Sequence, residues 1–131
     1  DEFADESQRD PGASFEAFQD FSELIKRFPD SQYVEDAEQR MRHLRNNLAE
    51  NEVHVANYYM RRGAFIAAAN RARFVIENYD RTPVVPEALV IMAKAYRVLE
   101  MEDLANDAIR VLKLNYPNHP GIYQIEELEV K

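Results

Sequence analysis

Arginine gives this sequence its clearest opportunity for specific chemistry, because seven arginines cluster in its middle. Between Gln39 and Arg73 they stand against two glutamates, so this stretch has a net charge of +5 (seven minus two) in a chain of net charge −8. The charged residues are Arg40, Arg42, Arg45, Arg61, Arg62, Arg71 and Arg73, with Glu50 and Glu52. A guanidinium pairs with a carboxylate through two parallel hydrogen bonds, and arginine is enriched at protein interfaces. The cluster predicts a surface that binds an acidic protein partner; the alternative is that the arginines neutralise acids on neighbouring helices.

The residue types that usually carry catalysis or bind metals are sparse and poorly spaced. The chain has no cysteine, no His-Glu-x-x-His, no Gly-x-Ser-x-Gly and no glycine-rich phosphate loop. His43 and His54 lie three turns apart on one predicted helix and His119 is far away in sequence, so all three are predicted to be surface or partly packed residues. Acidic neighbours such as Glu126 and Glu127 diverge on a helix. We therefore predict no catalytic residue, no cofactor and no metal ion, and the chain is expected not to be an enzyme.

Length and composition limit the remaining possibilities. A chain of 131 residues has room for one domain with one connected core, and three glycines are too few for a turn-rich barrel or sandwich. The charge of −8 argues against nucleic-acid binding, and no apolar run approaches the roughly 20 residues that span a bilayer. Because the chain starts at Asp1 without a signal peptide, we expect it to be a mature portion or fragment whose lipid anchor, if any, lies upstream.

The sequence divides into three predicted segments. Residues 1–10 hold five acids and one large apolar side chain, which predicts a flexible acidic linker. Residues 11–120 form the predicted helical domain. Residues 121–131 form a tail that is a short helix or a disordered end. We expect partial order there, because four apolar residues can pack against the domain: Ile122, Tyr123, Ile125 and Leu128.

Apolar residues recur at spacings of three and four through the domain, which indicates helices. The first is predicted from Pro11 to Phe28, where Pro29 ends it. The later helices are predicted at about Phe65–Tyr79, Glu87–Leu99 and Asp103–Tyr116. Nothing in the sequence resembles a strand, so the predicted fold class is all-α.

The second helix is predicted to be unusually long, from Ser31 to Arg62. Its 32 residues correspond to a rod of about 48 Å. Gly63 is predicted to end it as the C′ residue. An apolar stripe with a seven-residue period runs along it through Val34, Ala37, Met41, Leu44, Leu48, Val55 and Tyr58. We expect neighbouring helices of the domain to cover this stripe; the alternative is a coiled-coil partner.

Small and aromatic residues recur at equivalent places in successive helix pairs. Ala56 and Tyr59 correspond to Ala93 and Tyr96, and the helix that follows each pair carries Ala68 or Ala105. The second helices end with Phe28-Pro29, Tyr79-Asp80 and Tyr116-Pro117. This pattern resembles the tetratricopeptide repeat, with Glu100 in place of a turn glycine and Asp80 in place of a proline. The resemblance implies a tetratricopeptide-like helical hairpin array, an α-solenoid fragment with one overlong helix.

Longer phrases are similar to the BamD family of outer-membrane assembly lipoproteins, specifically to its C-terminal half. They are Phe28-Pro29-Asp30-Ser31-Gln32-Tyr33, Ala56-Asn57-Tyr58-Tyr59, Arg62-Gly63-Ala64-Phe65 and Asn70-Arg71. The resemblance covers about residues 12–116. It implies a non-catalytic scaffold of the barrel assembly machinery, at the periplasmic face of the bacterial outer membrane. Association with the membrane would then depend on a lipidated cysteine that this chain does not contain.

The same resemblance implies a partner and the residues that bind it. In the family the similar segment faces the periplasmic POTRA region of the barrel subunit BamA, so we expect that region and other assembly-machine subunits as partners. Arg62 and Arg71 are the best candidates to pair with its carboxylates, and Asn70, Arg73 and Phe74 are further candidate contacts. Reversing the charge of Arg71 is expected to weaken binding with little change in melting temperature. The alternative function is a chaperone-like module that binds unfolded or extended peptides in a solenoid groove.

Overall fold

The computed structural model describes residues 11–29 and 33–130 of the chain, and these residues form six helices. They are α1 (Pro11–Arg27), α2 (Val34–Arg61), α3 (Phe65–Asn78), α4 (Val85–Val98), α5 (Glu102–Asn115) and α6 (Gly121–Val130). Within those ranges there is no strand. Successive helices α3, α4 and α5 pack side by side, and α6 packs on α4 and α5. The all-α hairpin array predicted from the sequence is confirmed. The predicted linker 1–10 and the predicted helix start at Ser31 lie outside the described residues.

The chain divides into two compact units, and the division falls within α2, after Asn51. In the first unit, α1 and the start of α2 line a cavity of about 330 Å³ whose walls include Ile25, Met41 and Arg42. Ala37 and Leu48 are buried there. The second unit contains the rest of α2 and helices α3 to α6, and it carries the surface discussed below.

The long helix α2 is continuous, as predicted, but its buried face differs from the predicted stripe. Tyr58, which the seven-residue period places inward, is 50% exposed. In the second unit α2 instead buries Val53 and Ala56, with Met60 packed against the core cluster. These three residues are spaced by three and four, and Ala56 has no side chain beyond Cβ to hold a neighbouring helix away. The neighbours therefore cover the face that carries the small residue rather than the face that carries Tyr58.

Two turns between helices have the same left-handed geometry, although only one contains glycine. After α2, Gly63 (φ +77°) donates its backbone N–H to Met60 O at 3.1 Å, and the Ala64 N–H bonds to Tyr59 O at 2.9 Å. After α4, Glu100 (φ +60°) repeats this arrangement, with bonds from Glu100 N to Arg97 O and from Met101 N to Tyr96 O. Both pairs of bonds define a Schellman motif, which usually has glycine at the left-handed position. Glu100 thus occupies the glycine position of the repeat, as its sequence alignment with Gly63 indicates.

We expect Glu100→Gly to stabilise the chain by about 1 kcal/mol, because a side chain makes the left-handed conformation unfavourable. The measurement is the free energy of unfolding in urea. Gly63→Ala is the matched control, since a Cβ at Gly63 would meet nothing within 4 Å and the substitution adds only the backbone cost. It should destabilise by a similar amount. A destabilising effect of Glu100→Gly would show that the glutamate side chain contributes a favourable interaction.

The core of the second unit is built around small residues at the equivalent positions of the two hairpins. Ala56, Ala68, Ala93 and Ala105 are all fully buried, as the repeat pattern predicts. Tyr96 fills the space between α3, α4 and α5, where it is 6% exposed and clusters with Ala69, Ala95 and Ala105. The alanine side chains are small, so the helices approach closely. The single ring of Tyr96 then fills the space that remains between α3, α4 and α5.

The C-terminal tail begins as a helix that lies very close to α4. The backbone N–H of Gly121 donates to Nδ1 of His119 at 2.9 Å, and this bond satisfies one donor at the start of α6. A Cβ at position 121 would lie 2.3 Å from Cγ2 of Val90, so only glycine fits. Ile122 and Ile125 are buried as expected, whereas Tyr123 is largely exposed. No helix in the described part of the chain is long and apolar enough to cross a bilayer.

Candidate protein-binding site

Helix α3 separates a buried alanine face from an exposed polar face. Ala68, Ala69, Ala72 and Val75 are buried, so they fix the orientation of the helix. The candidate residues Asn70, Arg71, Arg73 and Phe74 are all exposed, as the helical period predicts. The whole exposed face therefore depends on the packing of short side chains beneath it.

Arg71 is paired with an acid of the neighbouring helix. Its Nη1 lies 3.0 Å from Oε2 of Glu52 on α2, and the side chains are 46% and 14% exposed respectively. The hydrogen bond to Glu52, together with an interaction with Tyr59, raises the pKa of Arg71 above its ordinary value despite partial burial. Arg71 is consequently a cation whose position is held by Glu52. For this residue the alternative stated for the arginine cluster holds: it neutralises an acid of its own chain.

The other candidates on α3 interact mainly within the helix. Arg73 donates from Nη2 to Oδ1 of Asn70 at 3.0 Å, one turn away. The Phe74 ring packs edge-to-face on Tyr79, with ring centroids 5.8 Å apart, and remains 43% exposed. Phe74 therefore presents an apolar ring beside cations. An exposed aromatic ring next to arginines is typical of residues that contribute strongly to interface affinity.

Arg62 follows α2 directly and is not on α3. Its guanidinium stacks over the ring of Tyr58, 5.8 Å from the centroid, at the end of α2. It does not line the cavity described next. The stacking orients the charge, since the ring face attracts a cation. Arg62 is thus a second, separate cation of the same unit.

A cavity of about 360 Å³ opens beside Arg71 between α2 and α3. It brings together three of the five candidates, Asn70, Arg71 and Phe74, and three residues that the sequence analysis did not assign to it. The added residues are Glu52, Tyr59 and Ala67. Two aromatic rings and a methyl group supply its apolar wall, and the polar groups lie with Arg71.

One signal in the sequence is compatible with an ion pair between Glu52 and Arg71. The chain folds back at Gly63, so residues some ten positions before the glycine lie across from residues a similar number after it. Glu52 is eleven before and Arg71 is eight after. Glu52 is also one of only two acids in the arginine-rich stretch. Opposite charges on the two arms of a helical hairpin favour such a pair, but the two distances from Gly63 differ by three residues, so the sequence alone does not single out Glu52.

Groups of side chains suited to holding a metal ion do not occur among the described residues. His119 has a structural role at the start of α6.

The sequence profile of a family described as outer membrane lipoprotein, YfiO, matches residues 1–112. The chain belongs to this family. It is 51% identical over 116 residues to the outer membrane protein assembly factor BamD of Neisseria gonorrhoeae, covering 88% of this chain and 43% of that protein. It is 41% identical over 118 residues to the BamD of Xylella fastidiosa strain Temecula1, covering 90% and 40%. The resemblance to BamD seen in the sequence is confirmed.

A more distant relative matches a similar share of the chain. The BamD of Vibrio cholerae is 39% identical over 111 residues, covering 85% of this chain and 46% of that protein. The YfiO-family chain therefore spans less than half the length of these relatives. All three are named assembly factors rather than enzymes, in agreement with the non-catalytic interpretation.

Proposed function

We propose that this chain is the partner-binding part of a non-catalytic factor that assembles outer membrane proteins. Its relatives are named as such factors. The observation that supports the proposal is the exposed face of α3, where Phe74 lines the same cavity as Arg71, whose guanidinium is held by Glu52. The place of action is the periplasmic side of the bacterial outer membrane.

The proposed partner is the POTRA region of the barrel subunit BamA, bound through an acidic surface. Arg71 and Arg73 place two positive charges on the α3 face, and Arg62 adds a third at the end of α2. Arg71 donates one hydrogen bond to Glu52, from Nη1, whereas a guanidinium has five N–H donors. A carboxylate of the partner can therefore bind Arg71 without displacing Glu52. Complementary charges of this kind fix the register of an interface and accelerate association.

The alternative, a peptide-binding groove, has a candidate location but less support. A second cavity of about 370 Å³ lies among α2, α4 and α6. Its polar side chains already bind one another across the groove: Asn57 donates to Glu87 at 3.2 Å, and Lys94 donates to Gln124 at 2.8 Å. An extended peptide would have to displace both bonds. The α3 face requires no such displacement and is therefore favoured.

Charge reversal at Arg73 tests the proposal directly. Since Arg73 bonds to Asn70 within its own helix, Arg73→Glu should leave the fold intact and place a like charge against the acidic partner. We expect binding to purified POTRA domains to weaken at least about tenfold, measured by isothermal titration calorimetry. The melting temperature should change by no more than about 2 °C.

Arg110→Glu on α5 is the matched control, because Arg110 is also exposed and also bonds one turn back, to Asp107 at 3.1 Å. It should bind as the wild type does. Equal weakening by both variants would indicate a general effect of net charge. Unchanged binding by Arg73→Glu would place the interface elsewhere. Binding of extended peptides in the second cavity, among α2, α4 and α6, would favour the alternative function.

A further inference from the structure

The cavity beside Arg71 combines two features that a flat ionic surface lacks. It has an apolar wall, formed by the rings of Tyr59 and Phe74 and the methyl group of Ala67. It also has a charged edge, where Arg71 is held by Glu52. Its volume of about 360 Å³ is that of about twelve water molecules in the liquid, at roughly 30 Å³ each. Such a space accommodates a large side chain.

The charges around the cavity specify what lies next to that side chain in the partner. The one acid in the cavity wall, Glu52, is already neutralised by Arg71. Arg71 keeps N–H donors directed to solvent, since nearly half of its side chain is exposed. Arg71 is the only cation among the described residues that line the cavity, and Arg73, which bonds to Asn70, lies outside that lining. The wall is thus apolar and the remaining N–H donors of Arg71 lie at its edge, so the complementary partner group is an apolar side chain flanked by a carboxylate.

We propose that this cavity receives a bulky apolar side chain of the partner, such as Phe, Leu or Met, whose adjacent carboxylate binds Arg71. The inference rests on the proposed function and adds the chemistry of the partner segment. Burying that side chain transfers apolar surface out of water, which charge pairing at an exposed site does not do. The apolar anchor then supplies most of the affinity, and the carboxylate determines the orientation.

Filling the cavity from this chain's side tests the proposal. Ala67→Leu adds three carbon atoms to the wall while every charge stays in place. We expect it to weaken binding to purified POTRA domains at least about tenfold in calorimetry. The control is Ile66→Ala, which removes three carbon atoms from the adjacent residue, exposed and outside the cavity. Its affinity should stay within about twofold of the wild type.

The outcomes separate this inference from the proposed function. If Arg73→Glu weakens binding but Ala67→Leu does not, the apolar anchor is disproved and the ionic interface stands. If neither variant changes binding, both fall. Should Ala67→Leu fail to fold, as judged by circular dichroism, Phe74→Ala takes its place, since it removes the wall without adding atoms. Wild-type affinity in folded Phe74→Ala would overturn the proposal.

Discussion

Replacing Arg71 with glutamate is expected to destabilise the chain and to abolish partner binding at the same time. The variant places a second carboxylate against Glu52, whose side chain is mostly buried, and removes its hydrogen-bond donor. Leaving such a group without a donor costs roughly 1–3 kcal/mol, and the exposure of Arg71 places the value towards the lower end. The measurement is the free energy of unfolding in urea. The expected destabilisation differs from the preferred expectation drawn from sequence, which was weaker binding with little change in melting temperature, and it agrees with the alternative that the arginines neutralise acids on neighbouring helices.

The doubly reversed variant Glu52→Arg/Arg71→Glu separates the two roles of the residue. It restores an ion pair of opposite polarity between α2 and α3, so most of the lost stability should return. Binding should not return, because position 71 still presents a negative charge to an acidic partner. Recovery of both properties would show that the partner does not bind at position 71. Failure to recover stability would show that the geometry of the original pair is essential.

The largest loss of stability is expected for Tyr96→Ala. Tyr96 is almost fully buried among Ala69, Ala95 and Ala105, and those alanines cannot fill the space that its ring leaves. Removing a buried aromatic ring costs roughly 3–5 kcal/mol. The repeat supplies the control: Tyr59 occupies the equivalent position but is only half-buried, beside an open cavity. Tyr59→Ala should therefore cost less than half as much in urea unfolding, and equal costs would contradict this difference in packing.

The fold was predictable because certain residue types indicate a turn, a helix end or a close helix crossing. Gly63 marks a left-handed turn, Pro29 follows α1, and the alanines at 56, 68, 93 and 105 mark close helix crossings. Each of these signals is carried by the type of one residue at one position of the repeat. For the same reason the ends of α3, α4 and α5 were predicted to within two residues.

The properties that depend on two helices at once were predicted less well. The apolar character of Tyr58 suggested burial, but the neighbours of α2 cover the face with Ala56 instead. The pairing of Arg71 with Glu52 depends on how α2 and α3 lie against each other, and nineteen residues separate the two in sequence. A count of charges correctly located the cationic stretch but did not show which cations already have partners. Ala67 carries no chemistry of its own, so only the cavity shows its importance.

The contact between His119 and the start of α6 determines the position of a proton. Because the N–H of Gly121 donates to Nδ1, that nitrogen must present its lone pair, and the ring proton of neutral His119 is on Nε2. The imidazole is thus held as a single tautomer. Nδ1 therefore acts as an acceptor for the backbone, and Nε2–H is the one ring donor that the neutral imidazole offers to its surroundings. The first turn of the last helix is thereby coupled to the location of one hydrogen atom.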